Sequence, residues 1–176
     1  SHAKLYPRPT VEENYRNWIR ERLDTNRYTK QNPYPVFLIA AEGGGIRAMN
    51  WTALVLDKLY AVHPDFKKHV YAISSVSGGS VGTIFHYAYM TDSGKSGENL
   101  RASLAEDFLS PVTFALLFPD LIQAVLPFSV CPFDRTCWLE DAWSNAYNNH
   151  FHSDVLDRNF MTYADQHKNN VPNLFI

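Results

Sequence analysis

The strongest pattern along the chain is the unbroken apolar run Val36-Phe37-Leu38-Ile39-Ala40-Ala41, which stops abruptly at Glu42-Gly43-Gly44-Gly45. A short continuous run rich in β-formers reads as a strand buried on both faces, as in a parallel sheet covered by helices. Ile46 to Val62 follows with Leu54, Leu56, Leu59 and Tyr60 as apolar positions, which predicts a helix that stops before Pro64. A second strand, His69 to Ser74, runs into the small-residue turn Ser75-Val76-Ser77-Gly78-Gly79. Another helix follows to about Tyr89, closed by Thr91-Asp92-Ser93-Gly94. Strand, loop, helix, strand, turn and helix in this order predict an α/β unit with a right-handed crossover.

The flanks are mostly helical. Thr10-Val11-Glu12-Glu13 is a capping-box signature, and Tyr15, Trp18, Ile19 and Leu23 keep helical spacing, so an amphipathic helix is predicted from 10 to about 25. Gln31-Asn32-Pro33-Tyr34-Pro35 reads as a linker. Residues 1–34 are therefore an N-terminal helix and linker, and 35–176 belong to the α/β domain. Further helices are predicted over Asn99–Leu109, over Val112–Leu126 with a split at Pro119, over Trp138–Tyr147 and over about Val155–Gln166. Val171 to Ile176 looks like the beginning of another strand, so the chain reads as the N-terminal portion of its domain. The expected architecture is a three-layer α/β/α domain with a mainly parallel sheet.

Composition narrows the classes. The 176 residues are 45% apolar and 19% charged, the balance of a globular chain. Net charge is −2 with no basic block, which leaves no electrostatic footprint for nucleic acid. The richest apolar stretch, Val112 to Phe128, is broken by Pro119, Asp120, Gln123 and Pro127, and falls short of the roughly 18 residues of a spanning helix. No secretory leader pattern is present, and the compartment stays open. Cys131 and Cys137 have no zinc-site spacing and admit either two thiols or a local disulfide.

Two motifs carry candidate chemistry. Acyl transfer through a covalent intermediate needs a nucleophile, a base and donors for the oxyanion. A sharp turn between strand and helix exposes a serine hydroxyl at a helix N-terminus, and small neighbours let the turn close. Ser75-Val76-Ser77-Gly78-Gly79 has that pattern, with Ser75 where G-x-S-x-G has its first glycine. Gly43, Gly44 and Gly45 follow a strand and precede a helix, so their backbone N–H groups, together with that of Gly78, are candidates for an oxyanion hole. A rival exists: Gly43-Gly44-Gly45-Ile46-Arg47-Ala48 also fits the dinucleotide fingerprint G-x-G-x-x-A. That motif wants an acidic residue at the end of the second strand, where this chain has Ser74-Ser75.

In the order and context of these two motifs the chain resembles the patatin-like phospholipase family. The D-G-G-G-x-R-G element is matched by Glu42-Gly43-Gly44-Gly45-Ile46-Arg47-Ala48, and the elbow by Ser75 to Gly79. The resemblance covers about residues 35 to 90, and the departures are Glu42, Ala48 and Ser75. It implies a patatin-like (FabD/lysophospholipase-like) fold and a lipid acyl hydrolase working through an acyl-serine at Ser77. It also implies a Ser–Asp dyad, and no metal or organic cofactor. The family Asp lies in a D-G-[GA] motif after the elbow. No Asp-Gly pair occurs in this sequence, so the base is expected beyond Ile176, and weak or no turnover from these residues alone. The implied partner is a lipid or phospholipid substrate at a membrane surface. The other readings are a catalytically inactive lipid- or partner-binding module and a dinucleotide-binding oxidoreductase.

Other residues have plainer accounts beside the functional one. Arg47 either meets a lipid phosphate or braces the glycine loop. Glu42 suits a helix start better than catalysis. His86 lies more than two turns from the elbow, and His150-Phe151-His152 has no third ligand. The apolar stretch from Phe114 to Phe128 is either a core-covering helix pair or an acyl-chain lid. Trp138, Trp143 and Tyr147 follow helical spacing and read as packing residues.

Overall fold

The computed structural model describes residues 9–22, 28–92, 96–118, 125, 135–160 and 171–176. The element order is α1 (Val11–Glu21), β1 (Phe37–Ala41), α2 (Gly45–Val62), α3 (Phe66–His69), β2 (Val70–Ser75), α4 (Gly78–Thr91), α5 (Gly97–Leu104), α6 (Leu109–Leu117), α7 (Arg135–Phe151), a 3-10 turn (Val155–Asp157) and β3 (Asn173–Phe175). The protein is a mixed α/β structure, mostly helical, around a small parallel sheet of order β1-β2-β3.

The sheet puts two loops side by side. Ala41 at the end of β1 pairs with Ser75 at the end of β2, so both chains leave the sheet at the same edge. The amide of Val76 still donates to the Ala41 carbonyl at 3.2 Å, which ties the two exits together. One face of the sheet is covered by α2 and α4: Leu56 packs with Val70 and Ile73, while Met49, Ala53 and Phe85 join the main core. That core extends into α5 and α7 through Leu100, Leu104 and Tyr147. Asn99 Nδ2 donates to the His150 carbonyl at 2.8 Å, and His150 Nε2 meets Glu106 Oε1 at 2.8 Å, so α7 is pinned beside α5.

The N-terminal helix forms as its sequence dictates. The Glu13 amide donates to Thr10 Oγ1 at 3.2 Å, and the Thr10 amide to Glu13 Oε2 at 2.8 Å, completing the capping box. Its buried Trp18 packs on Tyr71 and Ala72 at the start of β2, with the Arg22 guanidinium 4.8 Å from the Trp18 ring centre.

Several sequence expectations need correction. β1 is not buried on both faces: among the described residues it is an edge strand, and Leu38 is 73% exposed, while α1 packs its Trp18 on Tyr71 and Ala72 of β2. Asn99–Leu109 is not one helix. It breaks between Leu104 and Leu109, where Asp107 Oδ1 accepts from the amides of Leu109 and Ser110 and starts α6. The helix expected from Val155 begins as a single 3-10 turn, and its remainder from 161 lies outside the described residues, as do 119–124 and 126–130 of the apolar stretch. Cys137 is disulfide-bonded, which resolves a point the sequence left open; Cys131 lies outside the described residues.

Candidate active site

The central feature is the backbone of Ser77. Its φ of 51° and ψ of −127° lie outside the helical and extended regions, and only one other non-glycine residue described, His152, has positive φ. Strain of this kind costs of order 1–3 kcal/mol and persists only where the surroundings enforce it. Here the strand end and the helix start enforce it. β2 delivers the chain to Ser75, and α4 begins at Gly78 with the Gly79 amide already donating to the Val76 carbonyl at 3.0 Å. Ser77 sits at the N-cap of α4, where a serine hydroxyl ordinarily accepts from the helix amides. It makes no such bond. The side chain is turned outward and exposed, with its hydroxyl left for other use.

The glycine loop lies against it. A Cβ added at Gly43 would stand 3.1 Å from Ser77 Cβ and 3.7 Å from its Oγ. Gly44 and Gly45 have φ of 151° and 60°, conformations that side-chain-bearing residues rarely adopt. At Gly78 a Cβ would collide with the Gly45 carbonyl, so the first turn of α4 touches the start of α2 backbone to backbone. The amides of Gly43, Gly44, Gly45 and Gly78 find no hydrogen-bond acceptor among the described residues. All the glycines singled out by the sequence therefore gather around Ser77, with amides free to meet an anion.

Other sequence candidates are less engaged. Arg47 lies in the first turn of α2, exposed, with no hydrogen bond or ion pair among the described residues, so the bracing contact is not made. Glu42 is also exposed, and its backbone carbonyl rather than its carboxylate abuts Gly79. No carboxylate or imidazole hydrogen bonds Ser77 among the described residues. His86 is 2% exposed, its ring centre 4.9 Å from that of Tyr60 and its Nε2 unpartnered. Burial drives its pKa down to about 3, so it is a neutral core imidazole remote from Ser77. Ser75, the departure from the glycine of the elbow pattern, is 4% exposed and its Oγ has no partner. Its Cβ is tolerated because the tight contacts fall on Gly78 and Gly79 instead. Among the described residues no group of three potential metal ligands converges.

The periodicity argument missed the cavity beside Ser77. An open apolar hollow of about 420 Å³ is lined by Ser77, Gly78 and Val81 on one side and by Phe108, Leu139 and Trp143 on the other. Helical spacing marked Trp143 as packing, which is half of its role, since it also joins the core. The signal that was available is the i, i+4 pair Leu139 and Trp143, but a core stripe carries the same spacing. Helix α6, which lines the hollow with Leu109 and Val112, leaves Leu109, Phe114, Leu116 and Leu117 exposed. Compared with models of known protein families, with characterised proteins and with solved structures, the chain matches none.

Proposed function

We propose that this chain carries the nucleophile and oxyanion-binding half of a lipid acyl hydrolase of patatin-like type, in a three-layer α/β/α domain whose α/β portion is 35–176. The single observation that carries the reading is the strained, exposed Ser77, uncapped at a helix start, with four unengaged glycine amides on one side and an apolar hollow on the other. A serine ester hydrolase needs these parts in one place: a nucleophile, donors for the developing oxyanion, and a dry surface for the acyl chain. In the reaction Ser77 Oγ attacks the ester carbonyl and the alcohol leaves. The oxyanion is held by amides drawn from Gly43, Gly44, Gly45 and Gly78, each such donor being worth about 3 kcal/mol of barrier. Water then releases the acid from the acyl-Ser77 ester. The general base in this reading is an aspartate C-terminal to Ile176.

The substrate class follows from the surroundings. The hollow suits an acyl chain, and the exposed apolar residues of α6 suit contact with a lipid surface. Arg47, uncommitted next to the glycine loop, suits a phosphate. The test is covalent labelling by a fluorophosphonate and turnover of short acyl esters, in a chain extended past Ile176. Labelling of Ser77 and turnover abolished by Ser77→Ala are expected; turnover retained in that variant overturns the reading. One observation favours a second reading, a lipid-binding module without catalysis: no base meets Ser77 among the described residues. Absence of labelling in the extended chain selects it.

A further inference from the structure

The hollow beside Ser77 has an end wall, and the register between α4 and α7 shows which residues make it. The two helices meet in layers spaced four residues apart on each. Tyr89 faces Phe151 with ring centres 6.1 Å apart, and Phe85 faces Tyr147 at 6.0 Å. One turn toward Ser77 the same register brings Val81 opposite Trp143, and one turn further Ser77 and Gly78 opposite Leu139. The first two layers are closed by tilted and edge-on rings at the core. The last is open and forms the 420 Å³ hollow. The Val81–Trp143 layer is the transition.

A second cavity, of about 380 Å³, lies beyond this layer; Ile84, Phe85 and Leu156 line it together with Ser144 and the carboxylates of Glu140, Asp141 and Asp157, so it is polar where the first is apolar. Val81 and Trp143 belong to the walls of both cavities, and no other residue does. The indole of Trp143 is thus a partition: on one side is the apolar space that reaches Ser77, on the other an equally large space that does not. The first cavity takes a short to medium chain, and the acidic walls of the second give a methyl end nothing apolar to enter beyond the indole.

We propose that Trp143, with Val81 facing it, sets the acyl-chain length accepted at this site. The inference rests on reading Ser77 as the acyl acceptor, and it assigns the chain a direction: carboxyl carbon at Ser77, methyl end against the Trp143 indole. Each methylene that enters apolar surroundings strengthens binding by about fourfold, the equivalent of ~0.8 kcal/mol. Lengthening should therefore help until the methyl end meets the indole, and then stop helping.

The experiment is calorimetric titration of the 176-residue protein with hexanoate, octanoate, decanoate and dodecanoate, kept monomeric. The expected result is affinity rising by about fourfold per methylene and then levelling off within the series. In Trp143→Ala the rise should break off at a longer chain, because the volume of the indole is added to the apolar hollow. In Val81→Phe it should level off earlier, because the constriction moves toward Ser77. Circular dichroism confirms that each variant is folded, and two variants with opposite expected shifts keep the test decisive if one fails to fold. An unmoved break in the folded variants, or no binding at all, overturns the proposal. The series does not depend on turnover, so failure to label Ser77 would count against the hydrolase reading and leave the partition standing.

Discussion

Helix α4 has two flanks built on opposite principles. Toward α2 its first turns bring backbone against backbone, Gly78 against Gly45 and Gly82 against Met49, while a Cβ at Gly79 would lie 2.5 Å from the Glu42 carbonyl oxygen and 2.8 Å from that of Ala41 at the end of β1. Toward α7 it is spaced by large rings and by Val81, and beside Ser77 an open hollow replaces the ring contacts. The nucleophile role proposed for Ser77 would draw on both: the closed flank holds the elbow against the glycine loop, and the open flank leaves a hollow beside it. The same fourteen-residue helix is thus scaffold on one side and site wall on the other.

The comparison is most easily broken on the closed flank. A Cβ at Gly82 would run into the Met49 carbonyl, a rigid backbone group in the middle of α2. Gly82→Val is expected to push the helices apart and cost at least about 3 kcal/mol, a large part of a typical domain's stability. Urea unfolding monitored by circular dichroism measures this. A loss below about 1 kcal/mol would show that the contact is softer than backbone packing implies.

The next effect lies where α4 meets α2 and the sheet, at His86. Its ring is packed between Tyr60 and Tyr89, at 4.9 and 6.0 Å, and desolvation holds its pKa near 3. The unfolded imidazole titrates near 6.5, so between about pH 3 and 6.5 the unfolded chain binds the extra proton. The stability associated with neutral His86 is therefore complete above about pH 6.5 and falls as pH drops toward 3. At about 1.36 kcal/mol per pH unit, roughly 2 kcal/mol is lost between pH 6.5 and 5. His86→Phe should flatten this part of the profile, read by urea titrations at pH 7 and 5. An unchanged slope would mean the imidazole is hydrated in solution.

How much of this was legible in the sequence differs between the flanks. The closed flank was readable, because glycine is conspicuous and its uses are few. Gly43-Gly44-Gly45 and Gly78-Gly79, each after an apolar strand, foretold two loops meeting at one sheet edge, and Ala41 does pair with Ser75. The capping box at Thr10 was equally plain, because its two bonds are local. The open flank was not readable. Whether Leu139 and Trp143 fill a core or line a hollow depends on how α7 packs against α4, helices far apart in the chain, and both outcomes share one periodicity. The exposure of Leu38 was missed for a similar reason: an apolar run specifies a strand, but what covers each face is a tertiary matter. The break before α6 was signalled only by Asp107, a capping residue within an otherwise helical stretch.

The smallest effect is the one that joins structure to function. If the closed flank forces Ser77 into its left-handed conformation, then glycine, which reaches φ of 51° without a Cβ clash, should relieve part of the strain. Of the roughly 1–3 kcal/mol stored, some 0.5–1 kcal/mol is offset by the greater freedom glycine has when unfolded. Ser77→Gly is therefore expected to raise stability by about 1 kcal/mol while removing the hydroxyl proposed as nucleophile. Ser77→Ala keeps the Cβ and the strain, so it should change stability by only a few tenths of a kcal/mol. The two variants side by side separate backbone strain from loss of the hydroxyl, and thermal unfolding at neutral pH resolves the difference. A Ser77→Gly protein no more stable than Ser77→Ala would mean that the elbow is relaxed, and that the tight contact between α2 and α4 serves packing alone.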